Sequence, residues 1–389
     1  MNLTKKAILL SYISTASLSA AIITPALPTI EKSFSLPLGG VEWLVTIFLL
    51  GYMFGQLIYG PLSNRFGRLP TIRTGFLINL LGTLLSLLAA YSESFIGLLW
   101  ARLFTSLGAA AGLCCTFTLI YELVSEEQAK KMLSYSVLSF TLAIGLSIFI
   151  GGFITQYFSW KALFFVLFIH AIFLFVSTWL FHETQQEKIP IHPKIIVKGY
   201  FELLKNKKLV IYSLIFGVSA IFSYCYSTAA PMIAKQFLQL NAAEYGTWNT
   251  LTMIGMTLGS LTAAQLIKKL PIDKFLNITL FLLGGIFVSF LIQRVISSKN
   301  PIWFFTTATG SYLFTSWIFP SASFLALQNS KDRASASGVM NFISMGTSVT
   351  SVALMGYLPF SSFTALLFIL LGSLTLTIVG KFFLQKAGS

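Results

Sequence analysis

Arg102 stands inside the apolar run "FIGLLWARLFTSLGAAAG", about seven residues and so roughly 10 Å past the point where a helix would begin. A guanidinium at that depth is costly unless it is paired, so it must face an interior. It can meet an anionic or zwitterionic ligand. It can equally hold backbone carbonyls of the first helix, which Pro25 and Pro28 leave partly unbonded. The two uses are compatible. A second group is the link "GPLSNRFGRLPTIR" at 60–73, which packs arginines, glycines and prolines between two apolar stretches. Arg65 and Arg68 can hold carbonyls at helix C-termini or an acid on a neighbouring helix, while Gly60 and Gly67 allow close backbone approach and a tight turn. His170, mid-run, can carry a proton or pack as a hydrogen-bonded histidine. Glu31 and Glu42 can titrate at one mouth of the molecule or sit there as solvated rim charges. Tyr52, Tyr224, Tyr226, Trp317 and Phe319 can line an amphipathic pocket with Gln56 and Asn341, or pack and face lipid instead.

The elements that must position these groups follow from composition. The chain of 389 residues is 56% hydrophobic and only 10% charged. A soluble domain carries about a quarter charged residues, so an all-α integral membrane protein is expected. Runs long enough to cross a bilayer fall at 7–30, 41–60, 73–91, 95–120, 132–158 and 161–181, then at 209–237, 244–268, 274–294, 301–326, 334–357 and 362–381. The basic N-terminus has the look of a signal sequence, but its apolar stretch is long and further spans follow at once, so it reads as an uncleaved first span. Twelve transmembrane helices in two six-helix halves put both termini on one side. With the termini cytoplasmic, twenty lysines and arginines fall on inner segments and five on outer ones, so the positive-inside rule places both termini and the link 60–73 in the cytoplasm. The expected domains are 1–181, a cytoplasmic linker at 182–208, and 209–389. In that linker Ile195, Ile196, Tyr200, Phe201, Leu203 and Leu204 recur near helical spacing among lysines, which predicts an amphipathic helix on the inner membrane surface.

The residues of the link also carry a resemblance. "GPLSNRFGRLPTIR" resembles the loop between spans two and three of the major facilitator superfamily, roughly Gly-x-Leu-x-Asp-Arg-x-Gly-Arg-[Arg/Lys], with Gly60, Leu62, Arg65, Gly67 and Arg68 matching and Asn64 in place of the acid. "FLLGYMFGQLIYGPLSNRFGR" at 48–68, "PALP" at 25–28, "ARLFTSLGAAAG" at 101–112 and "SWKALF" at 159–164 narrow it to the Bcr/CflA branch of drug/proton antiporters. "SYCYSTAAPMI" and "ASASGVMNFISMG" are fainter echoes in the second half. The resemblance implies a conformational clasp in which Glu122, at the cytoplasmic end of the fourth span, partners Arg65 or Arg68. It ties Arg102 to substrate binding or proton coupling. It implies a monomeric, multi-pass transporter of a bacterial inner membrane, exporting a small amphipathic compound against protons. Export of a specific anionic metabolite such as a carboxylate siderophore is the alternative, as is an uncoupled facilitator or an importer.

The chain departs from that branch where coupling would lie. The acid expected four positions before Pro25 is Ala21, and Ser147 and Ile148 replace the Gly-Pro of the fifth-span signature, although Gly151 and Gly152 remain. No acid stands at mid-depth in any expected span. A buried arginine without a carboxylate makes an electropositive cavity, which favours an anionic substrate. Cys114, Cys115 and Cys225 lie in apolar runs and give neither a disulfide framework nor a metal spacing. No cofactor, metal, nucleic-acid partner or enzymatic centre is expected, and no Gly-x-x-x-x-Gly-Lys loop for nucleotide is present.

Overall fold

A computed structural model describes residues 3–185, 193–328 and 333–388, and among them there is helix and no strand. Each expected apolar run is helical. In the first half α1 spans Leu3–Ala21, α2 Leu27–Ser33, α3 Trp43–Phe66, α4 Arg68–Tyr91, α5 Phe95–Leu123, α6 Glu126–Tyr157 and α7 Ala162–Ser177. In the second, α8 spans Pro193–Leu204, α9 Lys207–Gln236, α10 Ala242–Asn249, α11 Leu251–Leu266, α12 Ile272–Val295, α13 Pro301–Leu327, α14 Arg333–Tyr357 and α15 Ser362–Gly388. Ten helical runs among the described residues are long and apolar enough to cross a bilayer. The stretches expected at 244–268 and 301–326 are not among those ten: the first is divided at Thr250 into α10 and α11, and the second is the hydroxyl-rich α13.

The first expected span is two helices because proline has no N–H to give. Ile22 N–H reaches Leu18 C=O at 3.0 Å, and Thr24 Oγ1 then donates to the Ala21 carbonyl at 2.9 Å. A 3-10 turn at Thr24–Ala26 leads into α2. Pro61, Pro231 and Pro320, by contrast, lie inside unbroken helices.

The chain forms two compact units. One comprises Met1–Leu36 and Trp43–His192, the other Pro37–Glu42 and Pro193–Ser389. The boundary thus falls inside the expected linker, and the turn at 37–42 groups with the second unit. There Gly39 has φ +79°, and a Cβ on it would come within 3.1 Å of the Gly356 carbonyl oxygen. In the first unit α5 is the hub, packed on α1, α3 and α4; in the second α9 packs on α13, α14 and α15. Small residues let the backbones approach. A Cβ on Gly51 would stand 2.6 Å from Leu103 O across α3 and α5, and one on Gly255 2.1 Å from Thr309 O across α11 and α13.

The linker helix is α8, which packs on α9 and α14. Phe201 is 62% exposed and Leu204 41%, while Tyr200 and Leu203 are half-buried. The Ile195 and Ile196 side chains lie outside the described set.

Candidate functional site

The turn from α3 to α4 depends on Gly67, which has φ +109° and stands at the N-cap of α4 without a side chain to cap it. The first N–H groups of a helix need acceptors. They come from Glu183, just past the 3-10 turn that follows α7: Oε1 accepts from Arg68 N at 3.0 Å and Oε2 from Leu69 N at 2.9 Å. Burial would raise the Glu183 pKa, but this is outweighed by the N–H groups of Gln185, Arg68, Leu69 and Thr184, which together hold it below the ordinary carboxylate value. A Cβ on Gly67 would lie 2.7 Å from Glu183 Oε2, so the glycine also makes room for the carboxylate.

Arg68, 8% exposed, is the centre of the site. Its Nη2 and Nε donate to Glu122 Oε1 at 3.1 and 3.3 Å, and its Nη1 donates to Asn64 Oδ1 at 2.6 Å and Ser63 Oγ at 3.1 Å. Thr184 Oγ1 donates to the other oxygen of Glu122. Asn64 therefore keeps the hydrogen bond that an acid would make and drops the charge. Of the two arginines expected to meet Glu122, the structure brings Arg68. Arg65 is exposed and makes no hydrogen bond or ion pair among the described residues. Leu62 is half-buried. The close approach expected at Gly60 does not occur: nothing lies within 4 Å of a Cβ built there, because α3 runs straight through and only its own Ser63 Oγ bonds the Gly60 carbonyl.

Arg102 is 1% exposed. The α1 ladder ends with Ile22 on Leu18, and the next carbonyl, that of Ser19, accepts from Arg102 Nη2 at 3.1 Å; Nη1 donates to Ser19 Oγ at 3.1 Å. The guanidinium lies over the Phe48 ring, 4.1 Å from its centroid. It has no ion pair among the described residues, and Nε–H is buried without an acceptor. The arginine is thus anchored to the broken helix and keeps its charge and one donor unspent.

The remaining candidates scatter. Tyr52 is buried on α3, and Gln56 is half-buried, its carbonyl accepting from Cys114 Sγ at 3.7 Å. Tyr226 is fully buried, donates to Asn249 Oδ1 at 3.0 Å, and stacks on Phe222 and Phe304. Trp317 donates to Thr262 Oγ1 at 2.8 Å and packs on Phe275, while Phe319 is 59% exposed beside Phe216. Tyr224 and Asn341 are half-buried, and so are Glu31 and Glu42. His170 is half-buried on α7 and makes no hydrogen bond to the described residues. No cluster of metal-ligating residues occurs among the described residues.

Two residues escaped the sequence reading. Glu183 had a signal: a helix starting after glycine needs an outside cap. Lys381 reads as a tail lysine, but α15 continues past it; it is 5% exposed and donates to Asn277 Oδ1 at 2.5 Å.

Comparison with known proteins gives the family. The family model for the Major Facilitator Superfamily matches residues 9–345. A bicyclomycin resistance protein homolog of Haemophilus influenzae is 27% identical over 263 residues, 66% of this chain and 64% of that protein. A chloramphenicol resistance protein of Pseudomonas aeruginosa is 27% identical over 177 residues, 45% and 41% of the two. The matched stretch therefore spans less than two thirds of either relative. Among solved structures, the POT family transporter PepTSo superposes with a TM-score of 0.77 at 12% identity over 99% of this chain and 98% of that one, a likeness of fold alone.

Proposed function

Because the chain belongs to the Major Facilitator Superfamily, we propose that it is a secondary transporter that exports a small amphipathic compound across a bacterial inner membrane by alternating access, coupled to protons. It crosses the membrane twelve times, with α10–α11 and α13 adding to the ten runs of clear length and apolarity, and both termini are cytoplasmic. Relatives named for resistance to bicyclomycin and chloramphenicol support export of drug-like compounds. The Arg68–Glu122 pair with the Glu183 cap is the kind of non-covalent clasp that one access state closes and the other opens.

The observation that carries the reading is Arg102: a fully buried guanidinium, seated by Ser19 and Phe48, with no acid to neutralise it among the described residues. Such a centre attracts a negatively charged group. The same feature favours a second reading, export of one anionic metabolite. With Ala21 where the branch has its acid, proton uptake falls to Glu31, Glu42 or His170.

Flux into inside-out vesicles with an acid-inside gradient, using anionic, zwitterionic and cationic solutes, tests both readings. Arg102→Gln removes the charge and keeps a donor for Ser19. Gradient-driven uptake of anionic or zwitterionic solutes should fall about tenfold in that variant, a loss of about 1.4 kcal/mol, while the melting temperature stays unchanged. Cations accumulating equally in both proteins would overturn the anionic preference. Uptake without a gradient would make the protein a facilitator.

A further inference from the structure

Arg73 is a second under-satisfied guanidinium, and nothing in the clasp or around Arg102 uses it. The family loop, as matched above, carries a base directly after its final Gly-Arg; here that position is Leu69, which is 1% exposed, and the positive charge stands one helical turn further on, at Arg73. Its one hydrogen bond among the described residues is long, Nη2 to the Thr178 carbonyl at 3.5 Å. Its Nε–H is buried with no acceptor, and it makes no ion pair among the described residues. The guanidinium lies 5.1 Å from the centroid of the Trp179 ring, where α7 gives way to a 3-10 turn. A cation held this loosely, beside an indole that is 57% exposed, lacks an anion.

The flanks say which anion. From Arg73, α4 presents Leu77, 41% exposed, and Leu81, 51% exposed, at successive turns. On α7 and the 3-10 turn that ends it, Ile172, Val176 and Trp179 recur at helical spacing and are 36%, 59% and 57% exposed. The two helices pack on each other, so two exposed apolar stripes converge on one positive group at the end of a seam. A free phosphate has no use for those stripes. An anionic phospholipid uses both: its phosphate oxygen meets the part of the guanidinium that stays accessible, and its acyl chains lie along α4 and α7.

We propose that the α4–α7 seam is a binding site for one anionic phospholipid of the leaflet that the basic loops face, with Arg73 as the phosphate ligand and Trp179 as the platform beneath it. The proposal requires a membrane-spanning fold and is independent of substrate, direction and coupling. The lipid fixes the end of α7 against α4 next to the Glu183 cap, so occupancy stiffens the clasp.

The test counts phosphatidylglycerol retained by the full-length protein after purification in detergent, by native mass spectrometry, and follows melting temperature as phosphatidylglycerol is added to phosphatidylcholine nanodiscs. The wild type should hold one more phosphatidylglycerol than Arg73→Gln, and that variant should need about fivefold more of the lipid for the same stabilisation. Arg73→Lys should fall between them. Trp179→Leu keeps the charge and should weaken retention as well, which guards against a variant that fails to fold. Lys32→Gln, at an exposed lysine on α2, should behave as the wild type. Equal retention in wild type and Arg73→Gln would overturn the site. Stabilisation by inorganic phosphate in lipid-free detergent, as strong as that by phosphatidylglycerol and lost with Arg73, would show an anion pocket and overturn the lipid.

Discussion

At Gly67 a single side chain decides whether the clasp can be assembled. The residue holds φ +109° and leaves the space that Glu183 occupies, so any Cβ is strained twice. Gly67→Ala should cost about 1–3 kcal/mol, read as a lower melting temperature in detergent. Glu183→Gln keeps the shape and loses the charge on the α4 N-terminus, at about 1 kcal/mol. The two differ in their response to pH. Because the folded pKa of Glu183 lies below its ordinary value, its contribution is complete at neutral pH and is lost as pH falls through the folded value. The gap in melting temperature between wild type and Glu183→Gln should hold at neutral pH and close as the medium is acidified below about pH 4. A gap that widened on acidification would show that the carboxylate is not favoured by its N–H partners. The sequence made Arg68 and Glu122 legible, since an arginine after glycine and an acid at the end of a span are recognisable in one dimension. It hid Glu183, because the partner of an uncapped helix can come from any distance along the chain. It also left Arg102 between two uses, and the hydrogen bonds to Ser19 fill one of them without removing the other.

Several helix contacts in this chain are set by backbones meeting over small residues. One close approach joins α4 and α5: a Cβ on Gly108 would stand 2.3 Å from Asn79 N and 2.4 Å from Gly75 O, while Asn79 Nδ2 donates to Thr105 O at 2.8 Å. Gly108→Val must separate the two helices and break that hydrogen bond, so folded yield and melting temperature should drop together, by the 1–3 kcal/mol typical of overpacking or about that. Gly285→Val is the control, since nothing lies within 4 Å of a Cβ there. Equal loss in both would mean that valine is poorly tolerated anywhere in these helices, and that the close approach is not the cause. Helix positions were readable because apolar length alone announces them. The breaks were less so. Pro25, with Pro28 three residues on, marks the interruption after α1, whereas the single prolines Pro231 and Pro320 sit in unbroken helices. Around Pro25 the freed carbonyls find a local partner in Thr24 and a tertiary one in Arg102.

For the whole molecule, charge distribution is the property on which everything directional depends. On the twelve-span reading twenty basic residues fall on one set of segments and five on the other, which is the basis of the proposed orientation, and setting aside Lys381, buried on Asn277, leaves that imbalance in place. The fold needed no such count; it was legible from hydropathy and the loop motif together. The grouping of 37–42 with the second unit was not, because a glycine-to-glycine contact between Gly39 and Gly356 has no signature in the order of the residues. Orientation can be read directly, because Cys115 and Cys225 are buried and Cys114 is only half-buried, which gives a low labelling background. Lys205→Cys lies after α8 and Ser298→Cys between α12 and α13. A membrane-impermeant maleimide should label Lys205→Cys in inside-out vesicles only and Ser298→Cys in right-side-out vesicles only. The reverse pattern would invert the molecule. It would put the clasp on the outside and turn the proposed exporter's basic face toward the compartment it was meant to empty into. Labelling of both sites from one side would mean an even number of crossings between them. The three crossings assigned to α9, α10–α11 and α12 would then have to become an even number, and the split helix α10–α11 is where that would happen.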